Sequence, residues 1–211
     1  MTPGPTIIRK CSACGKHIAQ HTIGSGNTFG ARFWTDGKRN TPMLPDQPWL
    51  VKCQHCGTLI WIDEQTQVGE ISPWGSETDA RNLFPEARSV SIPTLQDYAD
   101  FLVAGEIDKN KERYVRLRAW WVGNDPRRET GQSMQFDSFE TKNLRAFLAL
   151  LDEAEDNDRL MKAEVLRELG EFNEAENLLA TEFDDELTQA VSVIRDLNQK
   201  KIATVAEIKF E

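Results

Sequence analysis

Long apolar runs are missing from this sequence of 211 residues. Nothing in it approaches the roughly 18 consecutive apolar residues that cross a bilayer. The opening MTPGPTIIRKC lacks both the apolar h-region and the small-residue cleavage site of a secretory signal. A cytoplasmic protein without a membrane partner is therefore expected. Histidine is scarce, with His17, His21 and His55 as the three copies. Catalytic signatures are missing too, since no nucleophile elbow and no HExxH occurs. Gly24, Gly26 and Gly30 do not form a phosphate loop, because no G-K-[ST] follows and no helix opens there. His21 with Asp36, or His55 with Asp63, could be assembled into a catalytic pair, but a site needs convergent geometry that spacing does not supply. The expectation is a protein that is not an enzyme and takes no small-molecule substrate.

Cysteine is equally sparse, and its four copies are all used in one pattern. They form two C-x-x-C pairs, Lys10-Cys11-Ser12-Ala13-Cys14-Gly15 and Lys52-Cys53-Gln54-His55-Cys56-Gly57. A two-residue gap lets one tight turn aim two thiolates at the same ion, and zinc takes four such ligands in a tetrahedron. Gly15 and Gly57 stand where a positive φ turns backbone N–H groups toward sulfur. Ile7-Ile8 precede the first knuckle and Leu59-Ile60-Trp61-Ile62 follow the second, giving the strand-flanked layout of a zinc ribbon. A redox C-x-x-C would stand alone beside a βαβ pattern, and structural disulfides are disfavoured in the cytosol. Cys11, Cys14, Cys53 and Cys56 are thus the expected ligands of one structural Zn²⁺. Four thiolates close the site, so the histidines are read as surface or packing residues.

Charge is unevenly spread. Residues 1–62 carry seven Lys/Arg against Asp36 and Asp46, whereas residues 139–211 carry 18 acids against nine bases. A tetrathiolate zinc adds a formal charge of about −2 to the head, and the acidic half would repel phosphate. Between the knuckles, Asp36-Gly37 signals a hairpin after Ala31-Arg32-Phe33-Trp34-Thr35, and Pro42, Pro45 and Pro48 carry an extended return to Trp49. Phe29, Arg32, Phe33, Trp34, Lys38, Arg39, Trp49 and Trp61 have competing uses. The aromatics serve a small domain's core, or, interleaved with the bases, they stack on single-stranded bases or anchor a protein partner.

Residues 64–93 mix Gly, Pro, Ser and charge and read as a connector loop, with Trp74 expected to pin it down. Helices are then predicted. Thr94 caps one through about Ala104, and Gly105 ends it. A second runs from about Lys109 to Val122, stopped by Gly123 and Pro126, with Arg113, Arg116 and Arg118 on a solvated face paired with acids. Others are expected over 141–154, 157–169, 172–181 and 186–200, and Ala203 to Phe210 is read as a short strand or trailing turn.

Ala163, Leu166, Gly170, Phe172, Ala175 and Leu179 fall in the small–large–turn pattern of a tetratricopeptide repeat, so 157–190 resembles one such hairpin. Arg159, Glu182 and Leu187 depart from that pattern, and one repeat is fewer than the three or so a free-standing array needs. The whole chain also resembles a bacterial family that pairs the knuckles with Gly26-Asn27-Thr28-Phe29-Gly30, a Pro-Trp run into the second knuckle and Trp120-Trp121-x-Gly123-Asn124-Asp125. That resemblance implies an architecture and no catalytic residue.

The expected fold is α+β: a zinc-ribbon domain over 1–63, a connector over 64–93, and an α-helical domain over 94–211 with one TPR-like hairpin. The expected role is a non-catalytic zinc-binding adaptor with a protein partner. A nucleic-acid-binding regulator using a basic aromatic head is the alternative.

Overall fold

In the computed structural model, strands crowd the N-terminal part and helices the C-terminal part, a mixed α+β arrangement. The structure describes residues 1–74, 83–105, 107–131 and 135–209. These fall into two compact units, one of Met1–Ala31 with Asn40–Asp97, the other of Arg32–Arg39 with Tyr98–Glu211. The chain therefore passes between units three times, after residues 31, 39 and 97.

The first unit is built on an antiparallel hairpin of β1 (Thr2–Lys10) and β2 (His17–Ser25), running in register from Thr6↔His21 to Lys10↔His17. β7 (Thr66–Ile71) pairs with the far side of β1, and β8 (Arg88–Ser89) runs parallel to β2, giving the order β7-β1-β2-β8. A smaller hairpin joins β5 (Leu50–Lys52) to β6 (Leu59–Trp61). The described residues of 64–93, expected to be a connector loop, thus contain two strands. Thr66-Gln67-Val68-Gly69-Glu70-Ile71 shows no period-two pattern, since Val68 and Ile71 fall on opposite faces, and β1 offers it the partner that local sequence does not reveal. Trp74, expected as a pin, is 77% exposed. Ile18, Val51, Ile60 and Ile62 pack with Cys11 and Cys53 in the buried core. Each such aliphatic side chain contributes about 1.5–3 kcal/mol when removed from water.

In the second unit β3 (Arg32–Trp34) turns through Gly37, at φ 78°, toward β4 (Arg39–Asn40), and β3 pairs with β9 (Glu207–Ile208). The helices are α1 (Leu95–Ala104), α2 (Lys109–Thr130), α3 (Ser138–Leu148), α4 (Asp156–Glu168), α5 (Phe172–Leu179) and α6 (Thr188–Gln199). Asp108 caps α2 by accepting from the Asn110 and Lys111 amides, and Asp137 with Glu140 forms a capping box on α3. Trp120, Leu144, Phe147, Leu151 and Val165 make one buried cluster; Leu160, Ala163, Leu179, Val191 and Ile194 make another.

α2 does not stop at Val122. It runs through Pro126 to the left-handed cap Gly131. The proline withholds its N–H from the Val122 carbonyl, and the Trp121 and Gly123 carbonyls on either side are held by the Arg128 and Arg127 guanidiniums at 2.7 and 2.6 Å. Gly123 is a point of close approach rather than a break, since a Cβ there would lie 2.6 Å from Glu140 Oε1. The arginine row also differs from expectation at one position. Arg113 pairs with Asp158 and Arg116 with Glu112, but Arg118 is buried, its guanidinium 5.4 Å from the Trp121 ring.

Candidate metal centre

The two C-x-x-C pairs converge. All four Sγ atoms of Cys11, Cys14, Cys53 and Cys56 lie within 4.8 Å of one another. Cys14 Sγ and Cys53 Sγ are 3.9 Å apart, near the ~3.8 Å edge of a sulfur tetrahedron with ~2.3 Å metal–sulfur bonds. That spacing is far from the ~2.05 Å of a disulfide. The four cysteines are placed to hold one metal ion.

The knuckles are built alike, one on each hairpin. Cys11 N–H donates to Lys16 O (2.9 Å) and Gly15 N–H to Cys11 O (2.8 Å). In the second, Cys53 N–H donates to Thr58 O (3.0 Å) and Gly57 N–H to Cys53 O (2.8 Å). Gly15 and Gly57 sit at φ 73° and 77°, in the left-handed region where a Cβ is strained. Lys10 and Lys52 precede the knuckles, and each lays its stem over its own knuckle glycine, with Cε 3.7 and 3.9 Å from where a Cβ would stand. Two lysines flanking the knuckles suit the formal charge of about −2 on a tetrathiolate–dication centre, although the Lys52 ammonium is itself paired with Asp97.

Burial grades the four thiols. Cys11 and Cys53 are wholly buried, Cys14 half-buried and Cys56 exposed. In the metal-free protein, burial pushes Cys53 up to about 12. The Thr58 hydroxyl, 3.4 Å from Cys56 Sγ, and the Thr58 amide bring Cys56 down to about 6. A dication would offset the cost of ionising the buried pair.

Neighbouring side chains brace the knuckles. Gln65, 5% exposed, accepts from the Ser12 amide at 2.7 Å and donates to Trp61 O at 2.9 Å. His55 Nε2 donates to His17 O (2.9 Å), stitching one knuckle to the other. Lys52 exchanges both backbone hydrogen bonds with Ser91 and extends its ammonium to Asp97 Oδ1 at 2.7 Å. Sequence reasoning missed Gln65, Ser91 and Asp97. No local signal marks them, because each acts across a long stretch of chain.

The histidines are engaged outside the thiolate set. His21 lies between Thr6 Oγ1 and Ser89 Oγ, and the His17 ring stands edge-on to Phe84. Neither assembled catalytic pair forms through hydrogen bonds. His21 has the partners just named, Asp36 is met by Arg128 and Asn124, and Asp63 pairs with Arg9.

Of the eight residues with competing uses, Trp61 is half-buried on β6, and the other seven do not make one group. Phe29 and Trp49 belong to the first unit and are 85% and 60% exposed. Arg32, Phe33, Trp34, Lys38 and Arg39 belong to the second. There Trp34 is buried, with the Arg32 and Arg128 guanidiniums 4.9 and 5.6 Å from its ring. Phe33 pairs with Ile208, Arg32 forks onto Glu207, and Lys38 meets Asp125, while Arg39 is exposed. This division changes the charge balance. The first unit holds Arg9, Lys10, Lys16, Lys52, Arg81 and Arg88 against eight acids (Asp46, Asp63, Glu64, Glu70, Glu77, Asp79, Glu86, Asp97), a net of −2 before any metal.

Among the described residues no helix is long and apolar enough to cross a membrane. Comparison with protein-family models, with curated proteins and with solved structures finds no match.

Proposed function

We propose that this protein is a non-catalytic zinc-binding adaptor whose first unit, stapled by one structural Zn²⁺, presents aromatic side chains to a protein partner. The observation that carries this reading is a contrast within one unit. Four cysteines leave a tetrahedral ion no open position, so the metal supplies rigidity rather than chemistry. Yet Phe29, Trp49, Trp74 and Ile92 of that unit are 60% or more exposed. In the second unit Val103 is the only large apolar residue so exposed among the described residues. Large exposed aromatics are the usual anchors of protein interfaces.

The helical part of the reading rests on α4 and α5. Ala163 and Ala175 are fully buried, as small seam residues of a TPR-like hairpin are, and Gly170 turns between the helices at φ 81°. Together with the acidic composition of this half, that supports a second docking surface for a basic partner. A nucleic-acid role fits less well. The first unit is net acidic, and Arg32 and Lys38 already face Glu207 and Asp125, which leaves no dense basic stripe for phosphate.

Affinity capture from the native host, with the wild-type chain and a Phe29→Ala/Trp49→Ala chain side by side, tests the role. A stoichiometric protein partner held by the first and lost by the second is expected. Recovery of no such partner, or equal recovery by both chains, would overturn it. Metal analysis of protein purified without chelator tests the zinc, with about one Zn²⁺ per chain expected.

A further inference from the structure

Three carboxylates of the second unit lie almost wholly out of water. Asp36 and Glu164 have side chains 0% exposed, and Glu168 is 4% exposed. Two of them own a guanidinium. Arg128 meets Asp36, and Arg167 forks onto Glu164 with contacts of 2.8 and 2.5 Å. Glu168 has none of its own. Its hydrogen-bond partners are neutral: Trp120 Nε1–H at 2.9 Å and Asn124 Nδ2, 3.0 and 3.2 Å from the two carboxyl oxygens. The same Asn124 amide lies 3.1 Å from Asp36 Oδ2, so one amide serves two acids.

The charge arithmetic decides the protonation. An ionised carboxylate without a cation partner is costly in a dry interior, and binding a proton relieves that cost. The cations near Glu168 are each committed to another partner. α4 contributes Glu164, whose guanidinium partner Arg167 also donates to the Ile202 and Thr204 carbonyls. From the β3–β4 hairpin comes Asp36, with Lys38 held by Asp125. On α2, Arg127 is taken by Glu140, and Arg145 of α3 by Glu171. Burial, then the nearby Glu164 and Asp36, lift Glu168 well above the usual carboxylate range against the pull of Arg167. Burial lifts Asp36 as well, but Arg128, Asn124 and the Lys38 amide oppose it. Of the two acids that share the Asn124 amide, Asp36 has a guanidinium of its own and Glu168 has none.

We propose that Glu168 is carried as a neutral carboxylic acid, and that loss of its proton is a pH-operated latch loosening the joint of the β3–β4 hairpin, α2 and α4. Once ionised, Glu168 repels Asp36 and Glu164 and competes with Asp36 for the Asn124 amide. A cavity of about 360 Å³, lined by Glu168, Arg127, Thr141, Arg145, Gly170 and Thr204, is the route by which the proton reaches solvent base. The sign follows from linkage. An acid whose folded value is raised gives its full stabilisation below the unfolded value of about 4.3, and loses it as pH rises through the folded value.

The test is a carboxyl-¹³C NMR titration of the full chain, with Glu168 assigned through its contact to the Trp120 indole, alongside thermal unfolding from pH 5 to 9. Glu168 is expected to hold its protonated shift while the ordinary glutamates titrate, and to move only at higher pH. In Glu168→Gln, which keeps an acceptor for Trp120, the alkaline fall in unfolding midpoint should flatten by half or more. A Glu168 signal titrating with the ordinary glutamates would overturn the proposal, as would an alkaline fall of the same size in Glu168→Gln. If that variant does not fold, the wild-type titration alone decides.

Discussion

Asp36 and Arg128 are ion-paired where neither touches water appreciably, their side chains 0% and 6% exposed. Breaking a buried pair from one side leaves a bare charge, which costs about 3–5 kcal/mol, whereas replacing both partners by apolar groups is often neutral. Asp36→Ala should therefore lower the chemical-denaturation stability of the second unit by about that much. Asp36→Leu combined with Arg128→Met should recover most of the loss. A double variant no better than the single one would show that the pair itself is required.

Metal removal should act on one unit. The first unit buries Cys11 and Cys53 at the centre of its core, so its folding and metal uptake are one equilibrium. Chelation, or Cys53→Ser, should collapse the tryptophan fluorescence and amide dispersion of the strands and leave the far-ultraviolet helix signal of α2 to α6 largely intact. Loss of both signals together would contradict this.

Gly57, at φ 77°, sets the knuckle turn in a region where a Cβ costs about 1–2 kcal/mol. Gly57→Ala should weaken metal affinity and lower the unfolding midpoint of the first unit. Gly57→Asn should do less harm, because asparagine tolerates left-handed backbone. Chelator competition ranks the three chains, with wild type tightest and alanine weakest.

Asp97 ties the Lys52 ammonium to the Thr94 amide and hydroxyl. Burial would raise its carboxyl, but Lys52 and Thr94 outweigh burial and hold it below the ordinary value. A lowered folded value gives stability that is present above the unfolded value and lost as pH falls through the folded one. Asp97→Asn should therefore cost up to about 1 kcal/mol at pH 7. The gap between wild type and variant should close below about pH 4. Paired denaturation curves at the two pH values measure it.

The metal centre was legible because its chemistry is local. Two thiols per turn and a following glycine are written in five consecutive residues, twice. The α+β order and the Asp36-Gly37 turn were legible for the same reason. What escaped is set by distant partners. Gly123 and Pro126 look like a helix stop until Glu140 is seen against the glycine and two guanidiniums on the neighbouring carbonyls. Trp34 has both a core and a surface reading until β9 and Arg128 are seen to close over it. Gln65 has no motif at all, since its value lies in reaching Ser12 across 53 positions.

The passage of the chain between units after residues 31, 39 and 97 bears on how such a protein is made and inherited. The β3–β4 hairpin leaves the ribosome well before α2 and α4, whose Arg128, Asn124 and Glu168 complete the polar cluster around Asp36, so it must wait for them in an unfinished state. Nor can genetic recombination trade the metal-holding half for another by one exchange. A single junction anywhere between Cys14 and Tyr98 would strand either a knuckle or the hairpin with the wrong companion, so the two halves must be inherited as one piece.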